Sequence, residues 1–442
     1  MRSSLHRTTV SLGATLVLLS SVLWSFSYPA SAIKRLKLST RSGGNVHGLD
    51  PAAVHSIYDV RAILMVYDTL FEYKALKRPF ELKPNLAAEM PRLSADQKTY
   101  TIHLRKDAYF IDDACFPGGK GRQVHAQDVV YSILRMMDPA TASGVGGELA
   151  PYIQGAEEWL KSARYEAPPA GLKALDTHTL QIKLNNPSAK FLHLLSQGTY
   201  AVIAREAVLK YQKDFARHPV GSGPFKLDNL DLSKAVFSAN PNYRATKLDI
   251  YAEGYDPKLH GGYGLEKLHQ NKIPLVDKLE LHFVSDDNAR LNAFLSADDL
   301  DTIALPNYLI PRIFEQNPLR LKAEYQAKFR FYQETGLAVS GILFNLKHPG
   351  IGYHSDPQEN ERRRVLRQAM LHAFDYKTYN RRFNLGMGRL LAGEIPPGIQ
   401  TEVEPSSNPI LESHYDLPRA RKLLQEAGWS AQALPALHIS TS

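Results

Sequence analysis

Residues 278–305 read KLELHFVSDDNARLNAFLSADDLDTIAL. Leu279, Leu281 and Phe283 alternate with polar residues, the period of a strand with one buried face. Asp286 and Asp287 follow, and a carboxylate there can accept from free N–H groups and cap a new helix. Leu291, Phe294 and Leu295, with the flanking alanines, give that helix one apolar face. Asp298 and Asp299 break it, and Leu300, Ile303 and Leu305 begin another strand. A strand–helix–strand unit near the middle of a long chain reads as the start of a second α/β lobe. The expectation is that the chain crosses there from one lobe to another, beside a ligand cleft.

At 442 residues the chain exceeds one ordinary core, so two or three domains are expected. Apolar content of 44% and charged content of 22% are those of a globular protein. The N-terminus reads as a leader outside the fold: Arg2 and Arg7 precede a short apolar run over 10–24, and Ala30-Ser31-Ala32 matches a small-x-small cleavage site. No later stretch approaches the roughly 20 apolar residues of a membrane span. Residues 1–32 are thus a signal peptide, and the mature chain does not span a membrane. Their removal takes away two arginines and no acid, lowering the net charge from +8 to +6. The basic residues are dispersed apart from Arg362, Arg363, Arg364 and Arg367, which argues against nucleic acid. Cys115 is the single cysteine, so an internal disulfide is excluded. It also lies far from the cleavage site, where a lipid-anchored protein would carry its cysteine. A freely diffusing periplasmic protein, monomeric, is expected.

Along the chain, residues 57–71 carry Val60, Ile63, Leu64, Tyr67 and Leu70 at helical spacing. Residues 99–104 and 179–184 alternate as strands, and between them Val129, Val130, Ile133, Leu134 and Met137 form a helical stripe with Asp128 as its capping partner. The loop 220–224 leads into a strand, and residues 255–272, rich in glycine and proline, read as an exposed loop. Strands are expected over 329–333 and 341–346. A helix is expected over 364–376, its arginine-rich start opposing the helix dipole. Asp416-Leu417-Pro418 opens a last helix that Gly428 ends. Residues 437–439 look like the start of a strand without a return.

Catalytic patterns fail on spacing. Zinc-type H-E-x-x-H is lacking, and Gly221-Ser222-Gly223 is not the G-x-S-x-G elbow and precedes a strand instead of a helix. Gly118-Gly119-Lys120-Gly121 lacks the Lys-Ser/Thr pair of a phosphate loop. Asp298, Asp299 and Asp301 lack calcium-loop spacing. Catalytic residues, metal ligands and cofactors are therefore assigned as none. A secreted two-lobed α/β chain without catalytic motifs has the physical make-up of a solute-binding protein.

An ordered series of motifs resembles one family, the family 5 extracellular solute-binding proteins of ABC transporters, which includes dipeptide- and oligopeptide-binding proteins. Leu49-Asp50-Pro51, Tyr67-Asp68-x-Leu70, Pro84-x-Leu86-Ala87-x-Glu89 and the 99–105 strand come first. Ala126-x-Asp128-Val129-Val130-Tyr131-Ser132, Val220-Gly221-x-Gly223-Pro224-Phe225 and Asn240-Pro241-x-Tyr243 follow. Phe344-Asn345, Leu366-Arg367-Gln368-Ala369, Ile395-Pro396-Pro397-Gly398 and Ala420-x-x-Leu423-Leu424-x-x-Ala427-Gly428 complete it. The resemblance implies a type II two-lobed periplasmic binding protein with an extra subdomain in lobe I. Residues 33–56 and 177–284 would form the core of lobe I, 57–176 the extra subdomain and 285–442 lobe II. It further implies that His55, Ser56 and Ile57 offer main-chain hydrogen bonds to a peptide, that Thr335 and Gly336 lie at a crossing beside the cleft, and that a membrane permease is the partner. Two departures stand out. His125 occupies a position usually held by a Thr cap, and lobe II and the C-terminal return to lobe I are incomplete. The residue that receives a peptide's α-amino group would lie beyond the last residue. Readings outside this family are a secreted hydrolase, and a sensory or chaperone-like binding module without a permease. The ligand itself, whether peptide, nickel chelate, sugar or another solute, is left open.

Overall fold

The computed structural model of the protein describes residues 7–10, 34–41, 44–296, 299–316, 319–332, 341–388 and 415–435. The chain divides into two units, Met1–Leu305 with Ile313–Glu334, and Pro306–Arg312 with Thr335–Ser442. The opening stretch supplies the strand Lys278–His282, the helix Asp287–Leu295 and the short strand Thr302–Ile303, all in the first unit.

That strand is internal to a four-stranded sheet. It runs parallel to Arg35–Ser39 and antiparallel to Lys234–Ala239, which pairs in turn with Phe225–Leu230. The alternation predicted for it fixes the register: Leu279 faces Leu36 and Phe237, Leu281 faces Leu38 and Ala235, and all six side chains are buried. A second sheet orders Arg92–Leu93, Thr99–His103, Thr179–Lys183 and Leu172–Ala174, all antiparallel. Its inward residues Tyr100, Ile102, Leu180 and Ile182 meet the predicted stripe of the Ala126–Met137 helix in one continuous core. Asp128 accepts from the His125 amide at 2.8 Å, as expected of a capping partner.

Elsewhere the boundaries differ from expectation for identifiable reasons. The first helix, Ile57–Val66, stops before Tyr67, whose backbone is extended, and Phe71–Tyr73 becomes a strand paired with Leu82–Pro84. The arginine-rich helix begins earlier than its apolar stripe suggests, at Pro357, with Asp356 accepting from the Glu359 amide at 2.8 Å. The arginines therefore lie inside it, one turn past Glu359 and Glu361, which pair with Arg363 and Arg364 and remove the dipole conflict. A separate helix, Tyr376–Phe383, starts from the Asp375 cap. Residues 341–346 form no strand: their apolar run Ile342-Leu343-Phe344 lies largely exposed, and a ladder also needs a partner edge. Residues 255–272 are more than a loop: Leu248, Ile250, Leu265 and Leu268 make a small core of their own. Arg7–Val10, within the expected leader, pairs in parallel with both Thr302–Ile303 and Phe329–Tyr332. Residues 437–439 fall outside the described residues.

Candidate functional site

The turn that leads into the first helix is built around one buried carboxylate. Asp59 accepts from the amides of His47 at 2.7 Å, His55 at 2.9 Å and Ser56 at 2.8 Å. Ser56 returns the bond, its hydroxyl accepting from the Asp59 amide at 3.1 Å and donating to the Asn45 carbonyl at 3.2 Å. This reciprocal cap satisfies helix N–H groups and pins residues 45–56 into one loop. The pattern is S-x-x-D, legible in the sequence once a helix start is set at Ile57. Next to it, Asp50 holds Arg135 through two bonds of 2.7 Å, and the Leu49 amide donates to the Ala216 carbonyl at 2.8 Å.

Three of the five predicted ligand contacts lie where this loop meets the helix, His55 and Ser56 on the loop and Ile57 at the first helical position. His55 and Ile57 are exposed and Ser56 is half-buried, with the His47 and His55 rings edge to face at 5.8 Å. The His55 and Ser56 amides point inward to Asp59. The Ser56 carbonyl accepts from the Val60 amide at 3.3 Å, so the exposed side chains of His55 and Ile57 form the crest. Thr335 and Gly336 lie outside the described residues.

Past the end of the first helix, a polar lock lies inside the core. Asp68 accepts from Arg244 at 2.8 and 3.3 Å and from the Ser222 hydroxyl at 2.9 Å, and Asn85 Oδ1 also accepts from Arg244. Burial alone would pull the Arg244 guanidinium down, but the adjoining Asp68 charge outweighs it and holds the group well above its ordinary value. Gly221 passes so close to the first helix that a Cβ there would stand 1.9 Å from the Val66 carbonyl oxygen. The Gly223 amide donates to that same oxygen at 2.9 Å. The motifs Tyr67-Asp68 and Gly221-Ser222-Gly223 are thus two halves of one contact.

At the other end of the unit, Asp286 caps its helix by accepting from the Ala289 amide at 2.6 Å. Asp287 does something else: it pairs at 2.5 Å with Arg290, which is buried and also donates to the carbonyls of Thr40 and Ala304. Sequence reading assigned both acids to capping and missed the arginine, because a charged residue on a helix gives no periodic signal of burial. Glu280, buried on the face of the sheet opposite Leu279 and Leu281, is surrounded by Lys234 at 3.0 Å, His282 at 3.2 Å and Arg35 at 3.4 Å. Burial, with Asp113 beside it, pushes the Cys115 thiol up to about 12, away from the thiolate form that reacts. Among the described residues no group of three or more His, Cys, Asp or Glu could hold a metal, and no helix is long and apolar enough to cross a membrane.

The chain belongs to the bacterial extracellular solute-binding proteins, family 5, whose sequence profile matches residues 81–438. It is similar to the probable di/tripeptide-binding protein 5 of Pseudomonas aeruginosa, 26% identical over 91% of this chain and 66% of that protein. Glutathione-binding protein GsiB of Escherichia coli is 25% identical over 97% of this chain and 67% of its own length. The chain thus spans about two-thirds of the length of these relatives. Among solved structures, the periplasmic binding protein DppA from Helicobacter pylori, in complex with the peptide STSA, gives a TM-score of 0.56 at 20% identity, covering 90% of this chain and 67% of that one. An oligopeptide-binding protein from Borrelia burgdorferi gives 0.58 at 21% identity, covering 89% of this chain and 67% of that one. These likenesses establish the fold as that of the two-lobed periplasmic binding proteins.

Proposed function

We propose that the protein is the solute-capturing component of an ABC importer in the periplasm, taking di- or oligopeptides or similar small solutes between two lobes and handing them to a membrane permease. The observation that carries this reading is the family match over residues 81–438. The names of the similar proteins narrow the solute class, since glutathione is itself a tripeptide. In this reading residues 33–56 and 177–284 form the core of the first lobe, 57–176 its subdomain and 285–442 the second lobe. His55, Ser56 and Ile57 provide one rail of main-chain contacts, and Thr335 and Gly336 provide another across the cleft. With the amides of His55 and Ser56 committed to Asp59 and the Ser56 carbonyl accepting from the Val60 amide, the first rail offers the His55 carbonyl to a peptide N–H group. Such contacts hold a backbone without reading its side chains. The protein acts as a monomer, without metal or cofactor, and performs no chemistry on its ligand.

Native mass spectrometry of chain purified from the periplasm should reveal co-purifying short peptides, and titration calorimetry with a tripeptide such as glutathione should give a saturable isotherm. A well-folded preparation that retains a sugar or a metal chelate, or binds no peptide, overturns the peptide assignment.

A further inference from the structure

The helix Ile57–Val66 carries one arginine, Arg61, whose setting differs from that of two other half-buried arginines of the first unit. Arg122 pairs with Asp128 and Glu206, and Arg135 holds Asp50 through two bonds. Arg61 is half-buried like them, yet its Nε is buried without a hydrogen-bond partner, and no carboxylate among the described residues acts on its charge. A cation withdrawn from water normally gains a counter-charge, because its lost hydration is otherwise not replaced. Burial pulls the Arg61 guanidinium below its ordinary value, against the opposing effect of Tyr58, and nearby Arg41 lowers it further.

The guanidinium leans back toward the start of the helix, as helical side chains do. Its central carbon lies 5.5 Å from the centroid of the Tyr58 ring, one turn earlier. That ring is braced on both sides. Its hydroxyl accepts from the Arg41 amide at 2.8 Å and donates to the Arg41 carbonyl at 3.2 Å, and a Cβ on Gly44 would stand 1.8 Å from Tyr58 Cε2. Arg61 and the exposed Ile57 are four residues apart, so they are neighbours on one helix face. Asp59, the acid of the first turn, is fully buried, and its oxygens go to the amides of His47, His55 and Ser56. The outer surface of this turn therefore combines Arg61, the exposed Arg41 and the positive end of the helix dipole.

We propose that Arg61 determines specificity by receiving the C-terminal carboxylate of a bound peptide over the first turn of this helix, beside His55–Ile57, with the charge of Arg41 adding to the attraction. The assignment rests on the transport reading above and narrows its ligands to peptides with a free C-terminus. A carboxylate accepts two parallel N–H bonds from a guanidinium fork and supplies the counter-charge that Arg61 lacks. The contact reads the end of a peptide and not its side chains, in keeping with main-chain contacts along the same loop.

Calorimetry on the intact chain with trialanine and with trialanine amide, which lacks only the terminal charge, tests this assignment. Trialanine should bind about tenfold more tightly than its amide, and the gap should narrow as salt rises. Arg61→Gln should weaken trialanine about tenfold and leave the amide unchanged, so that the two affinities converge. Arg61→Lys should recover part of the loss, since it keeps the charge without the fork. Arg92→Gln, the same change of charge on an exposed arginine elsewhere on the unit, should alter neither affinity. If circular dichroism shows that R61Q is misfolded, the comparison of peptide with amide in the unaltered chain and in R61K still decides. Equal affinity for peptide and amide, or a gap that persists undiminished in folded R61Q, would overturn the proposal and leave the transport reading intact. Failure of the folded chain to bind either peptide would sink the transport reading and this assignment with it.

Discussion

The two units are built on different principles. The first buries a continuous apolar core and sets a charged lock, Asp68–Arg244, inside it. The described part of the second has few buried apolar side chains, Leu309, Ile310, Ile351, Leu366, Ala369 and Ala420, while Leu343 is 91% exposed and Tyr353 72%. Its helices Pro357–Ala373 and Leu417–Glu426 pack on each other, helped by Arg362, which stacks 3.8 Å over Trp429 and donates to the Ala427 carbonyl at 3.1 Å. Local stability follows buried contact, so the first unit should hold the global stability and the second should open at lower cost. With Trp24 replaced by Phe, Trp159 reports the first unit and Trp429 the second, so denaturant curves can be read unit by unit.

The largest effect should come from Asp68→Ala. It leaves Arg244 buried beside only Asn85 Oδ1, and stranding one partner of a buried pair costs about 3–5 kcal/mol. The Trp159 midpoint should drop sharply while the Trp429 midpoint holds; an equal shift in both would erase the distinction between the units. Leu366→Ala is the counterpart. Core Leu→Ala changes cost about 2–5 kcal/mol, and a thin core with room to collapse should give the lower end, about 2 kcal/mol, in the Trp429 transition. A cost as large as that of Asp68→Ala would mean the second unit is packed as firmly as the first. Asp286→Ala, losing a cap, should cost about 1 kcal/mol in the Trp159 transition and leave glutathione affinity unchanged. A marked fall in that affinity would move Asp286 from cap to ligand contact.

These comparisons also separate what was readable in the sequence from what was not. Local rules were readable: the Lys278–His282 alternation, the Asp286 and Asp416 caps and the Ala126–Met137 stripe each depend on residues a few positions apart. The ordered motifs gave the family for the same reason. What escaped were bonds between distant positions. Arg244 meets Asp68 from 176 residues away, Lys83 meets Glu253 from 170 and Arg290 meets Thr40 from 250. No periodicity encodes these partners, and each arginine alone reads as surface. The start of the Pro357–Ala373 helix was encoded, as Asp356 before a proline, but the later apolar stripe obscured it. Of the candidate site, the loop and its exposed crest were readable, whereas the inward turn of the His55 and Ser56 amides was not. That depends on Asp59 serving three donors at once.

The smallest effect is a pH dependence, and its sign tests how dry the charged face of the first unit's sheet is, opposite its apolar core. Burial holds the His282 imidazole below its ordinary 6.5, against the opposing pull of Glu280. The unfolded chain then binds a proton that the folded chain resists, so stability is full above about 6.5 and falls as pH drops below that value. Glu280 is also depressed, because although burial works to raise it, Lys234 and its other cationic neighbours outweigh burial. Its contribution is kept above the ordinary 4.5 and lost only on further acidification. The two windows do not coincide. A decline in the Trp159 midpoint between about pH 6.5 and 5 therefore belongs to histidine, and His282→Gln should flatten part of it. His125 and His260, depressed by burial as well, should supply the remainder. If the midpoint rises across that interval, Glu280 is stabilising a protonated His282, and this part of the sheet is wetter and more strongly ion-paired than the rest of the core.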